Sequence, residues 1–290
     1  MFAITGITGQ VGGVLARSLL AAGKDVRAVV RNAQKGVNWA ASGCDVAIAE
    51  MNDVDALQKA FSDVEGVFVM LPSNFDPTTD FPESRQTIAA IRTALKAAQP
   101  AKVVCLSTIG AHATQTNLLS QLGILEQELG TLPIPISFLR AAWFLENAAW
   151  DVAPAREDGL ISSFLQPLDK PVPMVATADV GRVAAELLQQ TWNGHRVVNL
   201  EGPRRIKPLE VAEAFSKVLG RTVQIEAVPR QTWESLFTSQ GMKNPTPRMQ
   251  MLDGFNEGWI EFESDGTPVR KGEVTLETVL QALIEREGEQ

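Results

Sequence analysis

Phe2-Ala3-Ile4-Thr5-Gly6-Ile7-Thr8-Gly9-Gln10-Val11-Gly12-Gly13 is the stretch that decides how the rest of the chain is read. Phe2 to Ile4 is a short apolar run suited to a buried strand of a parallel sheet, and Gly6, Gly9 and Gly12 follow at even spacing. Val11, Val14, Leu15, Leu19 and Ala22 then recur at helical intervals, so the segment reads strand, glycine turn, helix. The glycines serve separate needs: a tight turn, close approach of backbone to phosphate, and close packing of helix on strand. Such a turn leaves unpaired N–H groups at a helix N-terminus, where the dipole favours negative charge, which makes it a pyrophosphate site. The spacing is G-x-x-G-x-x-G and not the commoner G-x-G-x-x-G. The competing reading, a turn that only joins strand to helix, is disfavoured by the flanking strand and helix.

At 290 residues the chain is long enough for one large α/β unit or a core with a smaller second lobe. Its 26 basic and 34 acidic residues give a net charge of −8, with no basic stripe or tail, which argues against nucleic acid as a direct partner. Cys44 and Cys105 lie far from any C-x-x-C pattern and are expected to be reduced core thiols; no metal site is expected. Phe2 to Ile4 is too short for a signal-peptide core, and no apolar run approaches the ~18 residues of a membrane span. A cytoplasmic location is therefore expected.

Outward from the turn, Gly23 closes the first helix and Val26 to Val30 forms a second strand. Arg31 stands at its carboxyl end, where an NAD enzyme would place an acidic residue against the ribose hydroxyls. A guanidinium there suits the 2′-phosphate of NADP, with Lys35 near enough to help, so NADP(H) is expected in preference to NAD(H). The plain alternative is an exposed arginine closing a strand. A third strand, Val46 to Ala49, leads to Glu50 and Met51, placed to meet the adenine, and to Asp53, a helix N-cap. The strand Val64 to Leu71 breaks at Pro72-Ser73-Asn74 into a loop reaching Pro82, so Leu71 to Phe75 is an expected wall of the site.

A helix from Glu83 to Ala98 precedes the strand Lys102 to Leu106, and the alternation predicts a doubly wound parallel sheet of the Rossmann kind. Ser107, at a strand end, either hydrogen-bonds ligand or caps backbone. The leucine stripe Leu118 to Leu129 reads as core, and Ile134 to Leu139 as another buried strand. Beyond it, Trp143 and Phe144 are candidates to line the nicotinamide end of the cleft, and Asn147 to bond ligand or backbone. Asp179 is expected to cap the helix that follows it, and His195 to Leu200 to form a returning strand. The expected division is a dinucleotide-binding domain over 1–150, completed by a strand near 195–200, and a smaller α+β lobe over 151–290 that sets substrate choice.

Thr5 to Gly12, Val29-Val30-Arg31-Asn32, Leu139-Arg140 with Trp143-Phe144-Leu145-Glu146-Asn147, and Gly202-Pro203 together resemble the NmrA-like branch of atypical short-chain dehydrogenases/reductases. Within it, the chain resembles the bacterial NAD(P)H:quinone oxidoreductases. The resemblance implies that Gly6, Thr8, Gly9, Gln10 and Val11 wrap the pyrophosphate, that Arg31 meets the 2′-phosphate, and that Leu71, Pro72 and Ser107 flank the nicotinamide. The family contains both reductases and proteins that bind the dinucleotide only to sense redox state.

This chain departs from the wider superfamily in having no tyrosine, and Ser120 to Glu128 contains no lysine, so the usual Tyr/Lys proton-donor pair is missing. Hydride transfer to a quinone tolerates that loss, because the oxyanion formed is delocalised and takes its proton from water. Trp143, Phe144 and Phe75 are expected to offer apolar faces to such a small-molecule acceptor, and Asn74, Ser107 or Asn147 hydrogen bonds. His112 is the alternative proton donor, although a lone histidine after a strand is more often structural. Two functions remain: an NADPH-dependent oxidoreductase, or a non-catalytic sensor with a protein partner. A homodimer is compatible with either.

Overall fold

The computed structural model describes residues 1–288. Its first half alternates strand and helix without interruption: β1 (Phe2–Ile4), α1 (Gln10–Ala21), β2 (Val26–Val30), α2 (Ala33–Ala41), β3 (Asp45–Ile48) and α3 (Val54–Phe61). β4 (Gly66–Val69), α4 (Pro82–Ala98), β5 (Val103–Thr108), α5 (Ser120–Leu129) and β6 (Ile136–Ala141) follow. The pattern then loosens through β7 (Trp143–Phe144), a 3-10 stretch (Leu145–Asp151), α6 (Val152–Glu157), β8 (Leu160–Ser163), β9 (Met174–Val175), α7 (Thr177–Leu188) and β10 (His195–Glu201). The rest comprises α8 (Pro208–Leu219), β11 (Gln224–Ala227), α9 (Trp233–Ser239), α10 (Thr246–Glu257), β12 (Val269–Lys271) and α11 (Leu276–Gly288).

Eight strands form one sheet in the order β12-β10-β6-β5-β4-β1-β2-β3, every neighbouring pair parallel. This is the doubly wound Rossmann arrangement, and the continuous apolar runs of β4, β5 and β6 are what a sheet covered on both faces demands. One face carries α1 and α7 over Ile4, Val104 and Leu139; the other carries α3, α4 and α5 over Val67, Cys105 and Phe138. α1 and α7 pack so closely that a Cβ on Gly181 would lie 2.7 Å from the Val11 carbonyl oxygen. The returning strand β10 is inside the main sheet, and β12 extends that sheet beyond it. Two small parallel pairs, β11 with β8 and β7 with β9, build the remainder.

Asp179 differs from its expected role. α7 begins at Thr177, and the Asp179 carboxylate, wholly buried, accepts the amides of Glu273 and Val274 and pairs with Arg182. The loop after β12 closes so tightly on it that a Cβ at Gly272 would sit 2.2 Å from its Oδ2, which draws the side chain away from the helix end. Glu146 serves that end, accepting the Thr177 amide at 2.9 and 3.0 Å and the Thr177 hydroxyl at 2.6 Å. Lys102 lies just before β5; its ammonium meets Glu65 and the Gln190 carbonyl. Among the described residues no helix is long and apolar enough to cross a membrane.

Candidate cofactor and acceptor site

Gly6 adopts φ +64°, the left-handed conformation glycine tolerates best, and its carbonyl accepts the Gly9 amide at 2.9 Å. A Cβ on Gly6 would meet Met70 Cε at 2.2 Å, and one on Gly12 would meet the Gly6 oxygen at 2.4 Å. Gly6 is therefore required by its backbone angle and Gly12 by its contact with the Gly6 carbonyl, at the point where β1 and β4 end side by side. Thr5 locks that junction: its hydroxyl donates to the Phe68 carbonyl and accepts the Met70 amide.

α1 starts at Gln10 with Gly9 as N-cap, so no side chain occupies its terminal amides and no acidic residue stands in its first turn. The next two helices on this edge differ, since Asn32 caps α2 by accepting the Lys35 amide and Asp53 caps α3 by accepting the Ala56 amide. Asp53 thus does what its residue type predicted. Thr8, Gly9 and Gln10 are exposed, while Val11 is buried and turns into the core. A tight glycine turn leading into a helix end that no side chain caps fits a pyrophosphate.

The remaining candidates spread along the same carboxyl edge. Arg31 is exposed immediately after β2 and pairs with no carboxylate among the described residues; Glu50 and Met51 follow β3 one strand further out. Leu71 is buried, Pro72 is exposed and Asn74 is half-buried, with Phe75 the more open at 66 % exposure. Trp143 stacks edge-on against Phe255 at 5.2 Å, and Phe144 packs on the core. Asn147 is exposed on the 3-10 stretch, and His112 is exposed in the turn after β5.

Ser107 is the candidate whose surroundings sequence reading missed. It is 3 % exposed, and its hydroxyl donates to Glu126 of α5 at 2.5 Å. Arg140 grips the same carboxylate at 2.9 and 2.7 Å and reaches Glu263 at 2.5 Å. Burial alone would lower the Arg140 pKa, but its hydrogen bonds and charge contacts with Glu126 and Glu263 raise it above the ordinary value. Beneath the cluster, burial first and the Glu126 charge second push the Cys105 thiol well up, leaving it inert. Cys44 is likewise a free, buried thiol. The signal for the cluster was Arg140 itself, since a cation ending an apolar strand demands a partner.

The chain belongs to the NmrA-like family, whose family model matches residues 1–263. It is 27% identical over 259 residues to an NAD(P)H azoreductase of Xenophilus azovorans, covering 89% of this chain and 85% of that protein. It is 26% identical over 244 residues to quinone oxidoreductase 2 of Escherichia coli strain K12, covering 83% and 82%. In fold it is similar to the NADPH-dependent quinone oxidoreductase of Escherichia coli complexed with NADPH, with a TM-score of 0.81 at 23% identity over 98% and 99% of the chains. Triphenylmethane reductase of Citrobacter sp. has a TM-score of 0.79 at 22% identity, over the same shares.

Proposed function

We propose that this chain is an NADPH-dependent oxidoreductase that passes hydride to a quinone or a similar small, flat electron acceptor without a Tyr/Lys pair. The observation that carries the reading is the combination of the uncapped glycine turn with a strand-end serine whose proton is already committed to Glu126. When bound, the nicotinamide supplies the hydride. Gly6 to Val11 hold the pyrophosphate by backbone amides, Arg31 pairs with the 2′-phosphate, and Glu50 and Met51 border the adenine. Leu71, Pro72, Trp143 and Phe144 exclude water from the far end, where Asn74, Phe75 and Asn147 border the acceptor.

Ser107 is a hydrogen-bond acceptor in this scheme. The hydroxyl hydrogen points toward the Glu126 carboxylate, which Arg140 also holds, and the oxygen lone pairs are left for a donor in the cleft. A positioned acid is therefore lacking on β5 and α5. The acceptors named for the relatives, azo compounds, quinones and triphenylmethane dyes, share the property that suits such a site. None needs an acid aimed at one oxygen: a quinone or azo compound delocalises the negative charge that hydride addition leaves, and a triphenylmethane cation is neutralised by it.

The test is loss of the reduced nicotinamide absorbance when purified protein and NADPH meet menadione, a benzoquinone and an azo dye. Turnover above the buffer rate with any of them supports the reading. Binding of NADPH with no turnover on any acceptor rejects it in favour of a dinucleotide sensor.

A further inference from the structure

The loop from Leu71 to Phe81 leaves β4 where Met70 abuts Gly6, so it rises directly from the cofactor turn. It is held on both sides by distant parts of the chain. Toward α5, the Gln121 side-chain amide donates to the Asn74 carbonyl at 3.1 Å, while Gln121 itself is fixed by the Ser84 hydroxyl at 2.5 Å. Toward the segment joining α9 to α10, the two oxygens of Asp76 accept the consecutive amides of Lys243 at 2.9 Å and Asn244 at 2.7 Å. The Asn244 side chain returns a hydrogen bond to the Pro77 carbonyl at 2.9 Å. Phe75 lies between these two anchors with its ring exposed.

We propose that Asp76 is a positioning residue for the electron acceptor: it fastens the β4 loop to the 243–247 segment and thereby sets the place of Phe75 over the acceptor. The inference rests on the reductase reading and deepens it. A carboxylate suits the task because each oxygen takes one of two adjacent amides, and these charge-assisted bonds are stronger than neutral ones. An amide side chain offers a single oxygen and turns an N–H toward the second donor. The two amides hold the Asp76 carboxyl below its ordinary pKa, so the latch stays ionised at neutral pH. At its far end the loop passes through Asp80 and Phe81, both left-handed at φ +65° and +58°. Phe81 is buried and leads into α4, so the far end of the loop is fixed by packing and the near end by Asp76.

The experiment is steady-state menadione reduction by wild type, Asp76→Ala, Asp76→Glu, Phe75→Ala and the double variant Phe75→Ala/Asp76→Ala, with NADPH affinity measured by calorimetry. Asp76→Ala is expected to raise the menadione KM about tenfold while kcat and NADPH affinity hold. Asp76→Glu, which keeps the carboxylate, is expected to recover part of that loss. The double variant is expected to have the KM of Phe75→Ala alone, because Asp76 acts through that ring. An unchanged KM in folded Asp76→Ala, additive effects in the double variant, or an equal fall in NADPH affinity would each overturn the proposal. Absence of wild-type turnover with menadione, the benzoquinone and the azo dye alike would overturn the reductase reading instead, and this proposal with it.

Discussion

Glu126 accepts the Ser107 hydroxyl and, on the same carboxylate, two nitrogens of Arg140, joining the end of β5 to α5 and β6 through one buried charge. The side chains of Arg140 and Glu126 are only 6% and 11% exposed, so neither charge is compensated by water. Glu126→Gln leaves Arg140 to the half-exposed Glu263 and is expected to cost about 3–5 kcal/mol, as breaking a buried pair does. Ser107→Ala removes one hydrogen bond from a carboxylate that keeps its arginine and is expected to cost about 1–2 kcal/mol. Urea unfolding measures both, and equal costs would contradict the asymmetry.

Arg31 follows β2, the strand paired with β1, and its guanidinium is free of carboxylates among the described residues. Arg31→Ala is expected to weaken NADPH binding by about 1.5–3 kcal/mol while sparing NADH. Calorimetric titration of both coenzymes checks it; equal losses would show that Arg31 does not read the 2′-phosphate.

Gly12 and Gly23 separate contact from conformation. A Cβ at Gly12 meets the Gly6 oxygen at 2.4 Å, whereas one at Gly23 meets nothing within 4 Å but must adopt φ +69°. Gly12→Ala forces the backbone of the turn apart and is expected to cost about 1–3 kcal/mol of stability, with loss of NADPH binding. Gly23→Ala is expected to cost about 1 kcal/mol and leave coenzyme affinity intact. Thermal unfolding with and without NADPH distinguishes them.

Asp151 ends the 3-10 stretch before α6, where burial raises its carboxyl to about 7. The folded chain then holds a proton that the unfolded chain releases, so stability falls as pH rises from the ordinary aspartate range through about 7. Asp151→Asn removes that dependence. The variant is expected to be more stable than wild type by on the order of 1 kcal/mol at about pH 8, and nearly equal to it at about pH 4. Unfolding free energies at both values test this; a wild type that gains stability toward alkaline pH would contradict it.

The sheet was legible because its signals are local. Phe2 to Ile4, Val26 to Val30 and Val103 to Leu106 are buried runs closed by turn residues, and Gly9 and Gly12 both pack against the carbonyl of Gly6, only a few residues away. Asp53 could be read as a cap because it bonds three residues onward. What escaped was set by contacts over long separations. Asp179 reads as a cap by type, yet the loop at Gly272 to Val274 claims it, and Glu146 takes over that helix end from thirty-one residues upstream. The Ser107, Glu126 and Arg140 cluster joins three elements, and the Asp76 latch spans 167 and 168 positions. No periodicity within one element encodes such pairings.

The central claim is that the amino-terminal turn binds a phosphorylated nicotinamide coenzyme for hydride delivery. Isothermal titration of the purified chain with NADPH and NADH tests it most directly. The account predicts saturable NADPH binding in one-to-one ratio, tighter than NADH by about tenfold or more. No heat of binding with either coenzyme, from protein that unfolds cooperatively, would contradict it.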